Sequence, residues 1–175
     1  MNLLHDIPAG TPDELNVIIE IPHGSHNKYE VDKETGMIAL DRANYGPAPY
    51  PTNYGFIPQT HWDDGDAIDV LLISSHPIPS GILVSSRAVG VMRMIDDGES
   101  DDKIICVPVN DRRMEDIQDI ADVNKHLIKE IQHFFETIKQ LKGKPVVVEV
   151  KGFEGKEAAV STLERARKMY QEKNK

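Results

Sequence analysis

The sequence predicts a single β-rich α+β domain spanning residues 1–175, in which strands form the core and two late helices pack outside it. The chain has 175 residues, of which 39% are hydrophobic. That is enough for one well-buried core and too little for two ordinary domains. Short strand-like segments come first along the chain, and helical periodicity begins only after residue 123.

Seven segments are predicted to be strands, because they are rich in β-branched residues or alternate in polarity, with Gly, Pro or acidic turns between them. The first three are expected to be neighbouring antiparallel strands, with a turn at residues 33–36 between the second and third. The predicted strands cover residues 16–21, 28–32, 36–42, 68–74, 82–95, 103–109 and 144–150.

Two amphipathic helices are predicted in the last part of the chain, at residues 124–141 and 155–173. In the first helix, apolar residues recur at steps of four and three, and Gly143 follows its end. This stripe consists of Leu127, Ile131, Phe134, Ile138 and Leu141. Residues 44–58 are rich in proline and are expected to form a rigid loop, since proline fixes φ and restricts the preceding residue.

The net charge of −9 argues against a general nucleic-acid binder and a binder of anionic membranes, because both partners would be repelled on average. Any anionic ligand therefore needs local cations. No apolar run approaches the roughly 20 residues of a membrane span, and the first residues are neither basic nor strongly apolar. The single cysteine, Cys106, lies in an apolar stretch and is expected to be buried. These features predict a cytoplasmic protein, in a reducing compartment.

Four aspartates lie within seven residues in the stretch HWDDGDAIDVLLIS, at positions 63, 64, 66 and 69. A solvated turn is one interpretation, because Asp and Gly suit turn geometry. Asp69 argues against it, since it begins an apolar strand, where a buried unpaired carboxylate is costly. Carboxylates about 4 Å apart repel by about 4 kcal/mol at an effective dielectric constant of 20. A tight cluster therefore predicts bound cations.

Oxygen ligands of this kind indicate magnesium or manganese. A calcium EF-hand loop starting at Asp64 does not fit, because Asp69 would replace its glycine and Ser75 its final glutamate. The seven histidines show no spacing typical of zinc ligands.

A second acidic segment, MIDDGESDDKI, would by itself be read as an acidic hairpin. It ends with Asp101 close to Lys103, which pairs a candidate metal ligand with a candidate anion-binding residue. Lys28 and Glu30 share one face of a predicted strand, and Arg42 can lie opposite them across the hairpin. Many carboxylates together with a few cations are what metal-assisted phosphoryl chemistry requires.

Seven motifs, in chain order, resemble those of the family I soluble inorganic pyrophosphatases. They are EIP at 20–22, NKYE at 27–30, DR at 41–42, YPTNYGFIP at 50–58, DGDAIDVL at 64–71, VGVMRMIDDGESDDK at 89–103 and HFFETIK at 133–139. The combination of DGDxxDV with an upstream YPxNYG is highly specific. The resemblance implies a five-stranded OB-like β-barrel with two flanking C-terminal helices. It also implies magnesium-dependent hydrolysis of pyrophosphate to two phosphates and, for prokaryotic members, a homohexamer.

The resemblance further implies a role for each matching residue. Two metal ions are bound more tightly than the others, and their ligands correspond to Asp64, Asp69 and Asp101. The nucleophile is the water that bridges these two ions, and Asp66 accepts its proton. The other metal-binding positions are Asp96, Glu30 and Glu20, and the phosphate-binding positions are Lys28, Arg42, Tyr50, Tyr54, Lys103 and Lys139. The implied cofactor is three to four Mg²⁺ per site, with Mn²⁺ or Zn²⁺ as substitutes.

Ile138 departs from the family pattern, which usually has a phosphate-contacting tyrosine before the lysine of HFFETIK. Ile138 belongs to the apolar stripe of the helix and can donate no side-chain hydrogen bond. A hydrogen bond from a side chain to a charged group is worth roughly 1.5–3 kcal/mol. We therefore predict weaker binding of substrate or product.

Three other functions remain open from the sequence. The first is a catalytically impaired paralogue that only binds metal and phosphate, and Ile138 is the only observation that favours it. An OB-like nucleic-acid binder would need a basic groove with exposed aromatic residues, which this sequence does not show. Hydrolysis of longer polyphosphates or nucleotides is the nearest rival among enzymes.

Overall fold

A closed five-stranded β-barrel forms the centre of the computed structural model, which describes residues 1–174. The strands are β1 (Gly10–Thr11), β2 (Glu14–Ile21), β3 (Asn27–Val31), β4 (Ile38–Ala43), β5 (Asn53–Phe56), β6 (Asp69–Leu72), β7 (Leu83–Asp96), β8 (Glu99–Ser100), β9 (Lys103–Pro108) and β10 (Val148–Gly155). The helices are α1 (Lys125–Thr137) and α2 (Lys156–Lys173), preceded by two short 3₁₀ helices at Arg112–Met114 and Ile120–Asp122.

The barrel follows the order β2-β5-β6-β9-β7, and β7 pairs back with β2 to close it. Only β6 and β9 are parallel, and the other described pairings are antiparallel. Outside the barrel, β10 and β8 extend β7, β1 extends β2, and β3 and β4 form a separate hairpin. The expected five-stranded barrel with two C-terminal helices is thus confirmed.

Most residues of the barrel strands are buried, because both faces of these strands are covered. On β9, Ile104 and Cys106 belong to one core cluster, whereas Ile105 and Val107 belong to a second. Helix α2 contributes to the first cluster and α1 to the second. Cys106 is fully buried, as predicted. Side chains on the two faces of the barrel strands therefore pack into two separate cores, and one helix covers each core.

Both helices lie where the apolar periodicity predicts them, although α1 ends at Thr137 and not at residue 141. The Asn124 side chain accepts hydrogen bonds from the first main-chain N–H groups of α1, as an N-cap residue does. Within residues 1–174, no helix combines the length and the hydropathy needed to cross a membrane.

Two strand predictions were wrong in detail. Residues 44–58 were expected to be a loop, yet β5 lies inside this range and every residue of β5 is buried. The flanking prolines Pro51 and Pro58 dominated the prediction, but they lie outside the paired residues. The first three predicted strands are not all neighbours, because β2 pairs with β5 and β7 and only β3 and β4 pair with each other.

The last strand also begins later than predicted, at Val148. Pro145, within the predicted range, has no N–H group to donate to a ladder. The strand then continues to Gly155 through an irregularity in its pairing with β7, next to Gly152, whose φ is +146°.

Candidate active site

One cavity of about 940 Å³ is lined by all the residues that the sequence nominates for a functional site. They are Glu20, Lys28, Glu30, Arg42, Tyr50, Tyr54, Asp64, Asp66, Asp69, Asp96, Asp101, Lys103 and Lys139. The barrel accounts for the central part of this arrangement. Asp69 begins β6 and Lys103 begins β9, and the two residues face each other in the parallel pairing of these strands. The start of this parallel pair therefore places a carboxylate and a lysine ammonium group side by side.

Three carboxylates form a compact group at the centre of the cavity. Asp64, Asp69 and Asp101 each offer an oxygen, and these oxygens all lie within 4.8 Å of one another. The turn before β6 holds Asp64, whose Oδ1 accepts the main-chain N–H of Asp66 at 3.1 Å. Carboxylate oxygens in this number and spacing are ligands for a hard divalent cation.

The electrostatics of this group fit a bound cation. Burial raises the pKa of Asp64, and the negative charge of Asp69 adds to that effect. Burial also raises the pKa of Asp101, to about 7, and Asp69 adds to this effect while Lys103 opposes it. Ionising these carboxylates together is costly unless positive charge is added between them. The donor set therefore fits divalent metal ions.

Lys103 is the buried cation of the site, with 1% of its surface exposed. Its Nζ donates to Asp69 at 2.7 Å, to Asp101 at 2.8 Å and to the Tyr54 hydroxyl at 3.0 Å. The same Nζ lies 5.5 Å from the ring centroid of Phe135. Burial alone would lower the pKa of Lys103, but Asp101 and Asp69 outweigh it and raise the pKa. Lys103 therefore stays charged at neutral pH.

The Tyr54 hydroxyl links this cation to the carboxylates, since it also donates to Asp69. Burial raises the pKa of Tyr54, which keeps the hydroxyl protonated and able to donate. Tyr50 lies edge-on to Tyr54, with ring centroids 5.8 Å apart, and is also buried.

The β3–β4 hairpin brings two cations to the wall of the cavity. Lys28 and Arg42 are directly opposite in its register, as the strand pattern predicts. Asp41 pairs with both, at 3.5 Å from Lys28 Nζ and 2.6 Å from Arg42 Nη1. Lys28 also contacts Glu30. The hairpin thus places two cationic side chains, each paired with a carboxylate of the hairpin itself, beside the central carboxylate group.

Two further carboxylates lie at the edges of this arrangement. Glu20 on β2 is buried, and its Oε1 accepts the Val31 N–H at 2.9 Å. Burial raises the pKa of Glu20 to about 8. At the other end of the cavity, Asp96 at the end of β7 pairs with Lys139, just after α1.

Asp66 is more exposed than the central group and contacts Lys33 of the β3–β4 turn. From the sequence, Lys33 is predicted only to lie in a turn. The available signal was its position between two strands that each carry site residues. Ile138 lines the cavity and packs against the second core cluster, as its place in the apolar stripe predicts.

Comparison with known proteins gives one consistent family. Residues 17–171 match the family model described as inorganic pyrophosphatase. The chain is 45% identical over 161 residues to an inorganic pyrophosphatase of Helicobacter pylori, covering 91% of this chain and 92% of that protein. It is 42% identical over 175 residues to one of Haloferax volcanii, covering 98% of each.

Solved structures agree with the sequence relatives. The fold superposes on a crystal structure of inorganic pyrophosphatase from Thermus thermophilus with a TM-score of 0.94 and 41% identity, covering 98% of this chain and 99% of that one. An inorganic pyrophosphatase structure from Coxiella burnetii gives a TM-score of 0.89 at 42% identity, covering 94% and 99%.

Proposed function

The chain belongs to the inorganic pyrophosphatase family, which hydrolyses pyrophosphate to two phosphates with divalent metal ions, and we propose that its cavity carries out this reaction with Mg²⁺. The observation that carries the proposal is the group formed by Asp64, Asp69 and Asp101 against the buried Lys103. Clustered oxygen ligands next to fixed cations suit a substrate that is itself a polyanion.

Under this proposal the metal ions bind at three places. Asp64, Asp69 and Asp101 hold the central ions, Asp96 acts with Asp101 at a second position, and Glu20 with Glu30 at a third. Bound Mg²⁺ neutralises phosphate oxygens and lowers the pKa of coordinated water. All the proposed ligands are carboxylates, which favours Mg²⁺ or Mn²⁺ over softer metals.

The phosphate groups are bound by cations from different parts of the chain. Lys28 and Arg42 approach from the hairpin, Lys103 from β9 and Lys139 from the end of α1. The Tyr54 hydroxyl, which donates its one proton to Asp69, would transfer this hydrogen bond to a phosphate oxygen of the substrate, with Tyr50 packed beside it. Groups held on separate elements fix both ends of a short substrate and orient it for attack.

Asp66 is proposed to accept the proton of the attacking water. It is two residues from Asp64 in the same turn, and both residues line the cavity. Its exposure allows the accepted proton to pass to solvent. Lys33 contacts this carboxylate.

A panel of substrates and metals tests the proposal. Purified protein is supplied with pyrophosphate, inorganic triphosphate or a nucleoside triphosphate, each with Mg²⁺, Mn²⁺ or Zn²⁺, and phosphate release is measured. We expect kcat/KM with pyrophosphate and Mg²⁺ to exceed that with both longer substrates. Faster hydrolysis of triphosphate or nucleotide would contradict the assignment.

We also propose that the protein is a cytoplasmic homohexamer. Support for self-association comes from apolar side chains exposed on the hairpin and at the start of β7, among them Met37, Leu40 and Leu83. Burial raises the pKa of Cys106, which keeps it an unreactive thiol suited to a reducing compartment. Gel filtration with light scattering should give six times the chain mass, and the mass of a monomer would contradict the hexamer.

A further inference from the structure

At the junction between β8 and β9, a buried aspartate lies between two proposed active-site residues in the chain. The proposed hydrolysis does not use its carboxylate. Asp101 belongs to the carboxylate group, and Lys103 is the buried cation beside it. Asp102 lies between them and is 7% exposed. Since neighbouring side chains in an extended chain point to opposite faces, Asp102 is directed away from the cavity that Asp101 and Lys103 line.

Asp102 completes a β-ladder that is interrupted at this point. β7 pairs with β8 and with the start of β9 in one antiparallel register, which places Met94 opposite Asp101. The N–H of Asp101 donates to the Met94 carbonyl at 2.9 Å, as such a pair requires. The N–H of Met94 instead donates to Asp102 Oδ1 at 3.1 Å. A side-chain carboxylate therefore stands where a regular ladder would use the Asp101 carbonyl.

Arg93 fixes the other oxygen of this carboxylate. Its Nη1 donates to Asp102 Oδ2 at 2.8 Å and to Thr162 Oγ1 at 2.8 Å. Its Nη2 donates to Glu154 Oε2 at 2.9 Å. Four elements, namely β7, the entry to β9, β10 and α2, are thus tied together directly behind the active site. Charge-assisted hydrogen bonds of this length impose a defined geometry on the groups they join.

We propose that Asp102, held by Arg93, is a positioning residue for the hydrolysis reaction, because it fixes the main chain that directs Asp101 and Lys103 into the cavity. Without the Asp102 carboxylate, the N–H of Met94 pairs with the Asp101 carbonyl and draws this segment into regular strand geometry. The Asp101 side chain then shifts relative to Asp64. The inference rests on the proposed function for the roles of Asp101 and Lys103.

The test compares two changes at Asp102 with a matched control elsewhere. Asp102→Ala removes both acceptors, whereas Asp102→Asn keeps an oxygen for the Met94 N–H and loses the charge that pairs with Arg93. Asp119→Ala is the control, because Asp119 also accepts main-chain N–H bonds, from Ala121 and Lys156, but does not line the cavity.

Three quantities are measured for each protein: Mg²⁺ affinity by calorimetry without substrate, kcat and KM at saturating Mg²⁺, and the thermal unfolding midpoint. Groups that orient metal ligands typically change metal affinity roughly ten- to a hundredfold when removed. We expect losses of that size in Mg²⁺ affinity and in kcat for Asp102→Ala, and a smaller loss for Asp102→Asn. We expect Asp119→Ala to lower only the unfolding midpoint.

The inference is overturned if Asp102→Ala lowers the unfolding midpoint but keeps the Mg²⁺ affinity and kcat of the parent. If Asp102→Ala does not fold, the test uses Asp102→Asn and Arg93→Lys. The inference is then overturned if both variants keep the Mg²⁺ affinity of the parent. A parent that binds Mg²⁺ but releases no phosphate contradicts the proposed function alone, because the Mg²⁺ affinities of the variants still test the positioning role.

Discussion

The ammonium group of Lys103 is buried between Asp69 and Asp101, so its removal affects both stability and substrate binding. Breaking a buried ion pair by removing one partner typically costs about 3–5 kcal/mol. We expect Lys103→Met to lower the thermal unfolding midpoint strongly in a chelator. The loss should be smaller in excess Mg²⁺, because a bound cation replaces part of the missing charge and stabilises the folded state. An equal loss in both conditions would argue against a metal site at these carboxylates.

The family pattern usually includes a tyrosine that hydrogen-bonds a phosphate, and a substitution at Ile138 can restore that hydrogen bond. Ile138→Tyr adds a ring and a hydroxyl at the edge of the cavity, whereas Ile138→Phe adds only the ring. A hydrogen bond to a charged phosphate is worth roughly 1.5–3 kcal/mol, or about ten- to a hundredfold in affinity. We expect a lower KM and tighter product inhibition for Ile138→Tyr than for Ile138→Phe. Equal values in steady-state assays would show that the missing hydroxyl is not what limits binding.

Residues that line the cavity were nominated from sequence where a motif marked them, and missed where only the fold connects them. The motifs nominated Asp64, Asp69 and Lys103; the parallel pairing of β6 and β9 places Asp69 beside Lys103, and the turn before β6 adds Asp64 to the group. Lys33 was missed because its contact with Asp66 joins residues 33 positions apart. Asp102 was not singled out, since the motifs do not reveal that its side chain and that of Asp101 face different surroundings.

At the scale of elements, Asp119 connects the second 3₁₀ helix to the start of α2. Its carboxylate accepts the Lys156 N–H at 2.8 Å and the Ala121 N–H at 3.2 Å. Loss of a capping side chain of this kind costs about 1 kcal/mol. We expect Asp119→Ala to lower the free energy of unfolding at pH 7 by that amount, as measured by denaturant titration.

The same interaction has a defined pH dependence. The hydrogen bond from Lys156, followed by that from Ala121, lowers the pKa of Asp119 from 3.8. A lowered folded-state pKa means that the stabilisation is complete above pH 3.8 and is lost as the pH falls through the folded-state value. The stability difference between parent and Asp119→Ala should therefore shrink below pH 3.8. A difference that stays constant into strong acid would contradict this role.

Elements with a clear period were predicted well, and elements defined by their partners were not. The long β7 was predicted within one residue at each end because it is rich in Val, Ile, Leu and Met and lies between turn residues, Gly81 before it and Asp97 and Gly98 after it. The four residues of β5 carry no period of their own and lie between prolines. They form a strand because β2 and β6 offer hydrogen bonds on both sides. At Gly55 a Cβ atom would lie 1.9 Å from the Ile18 carbonyl oxygen, so this strand also requires a glycine.

For the whole molecule, the charge distribution reconciles an acidic protein with an anionic substrate. The net charge is −9, yet the cavity contains Lys28, Arg42, Lys103 and Lys139 among its carboxylates. Divalent ions bound by those carboxylates would make the cavity locally positive. Under the proposed function, metal ions bound at the cavity carboxylates would allow pyrophosphate to bind to a chain whose net charge is negative.

The central claim is tested most directly by phosphate release from magnesium pyrophosphate at saturating Mg²⁺, comparing the parent with Asp66→Asn and Asp63→Asn. Asp63 is in the same turn but pairs with Arg165 and does not line the cavity, so it controls for changes to the turn itself. General-base catalysis typically contributes 10²–10⁴-fold. We predict fast release by the parent and by Asp63→Asn, and a loss of roughly that size in Asp66→Asn. Equal rates in all three proteins would move the proton acceptor elsewhere, and no release by a folded, Mg²⁺-binding parent would contradict the account itself.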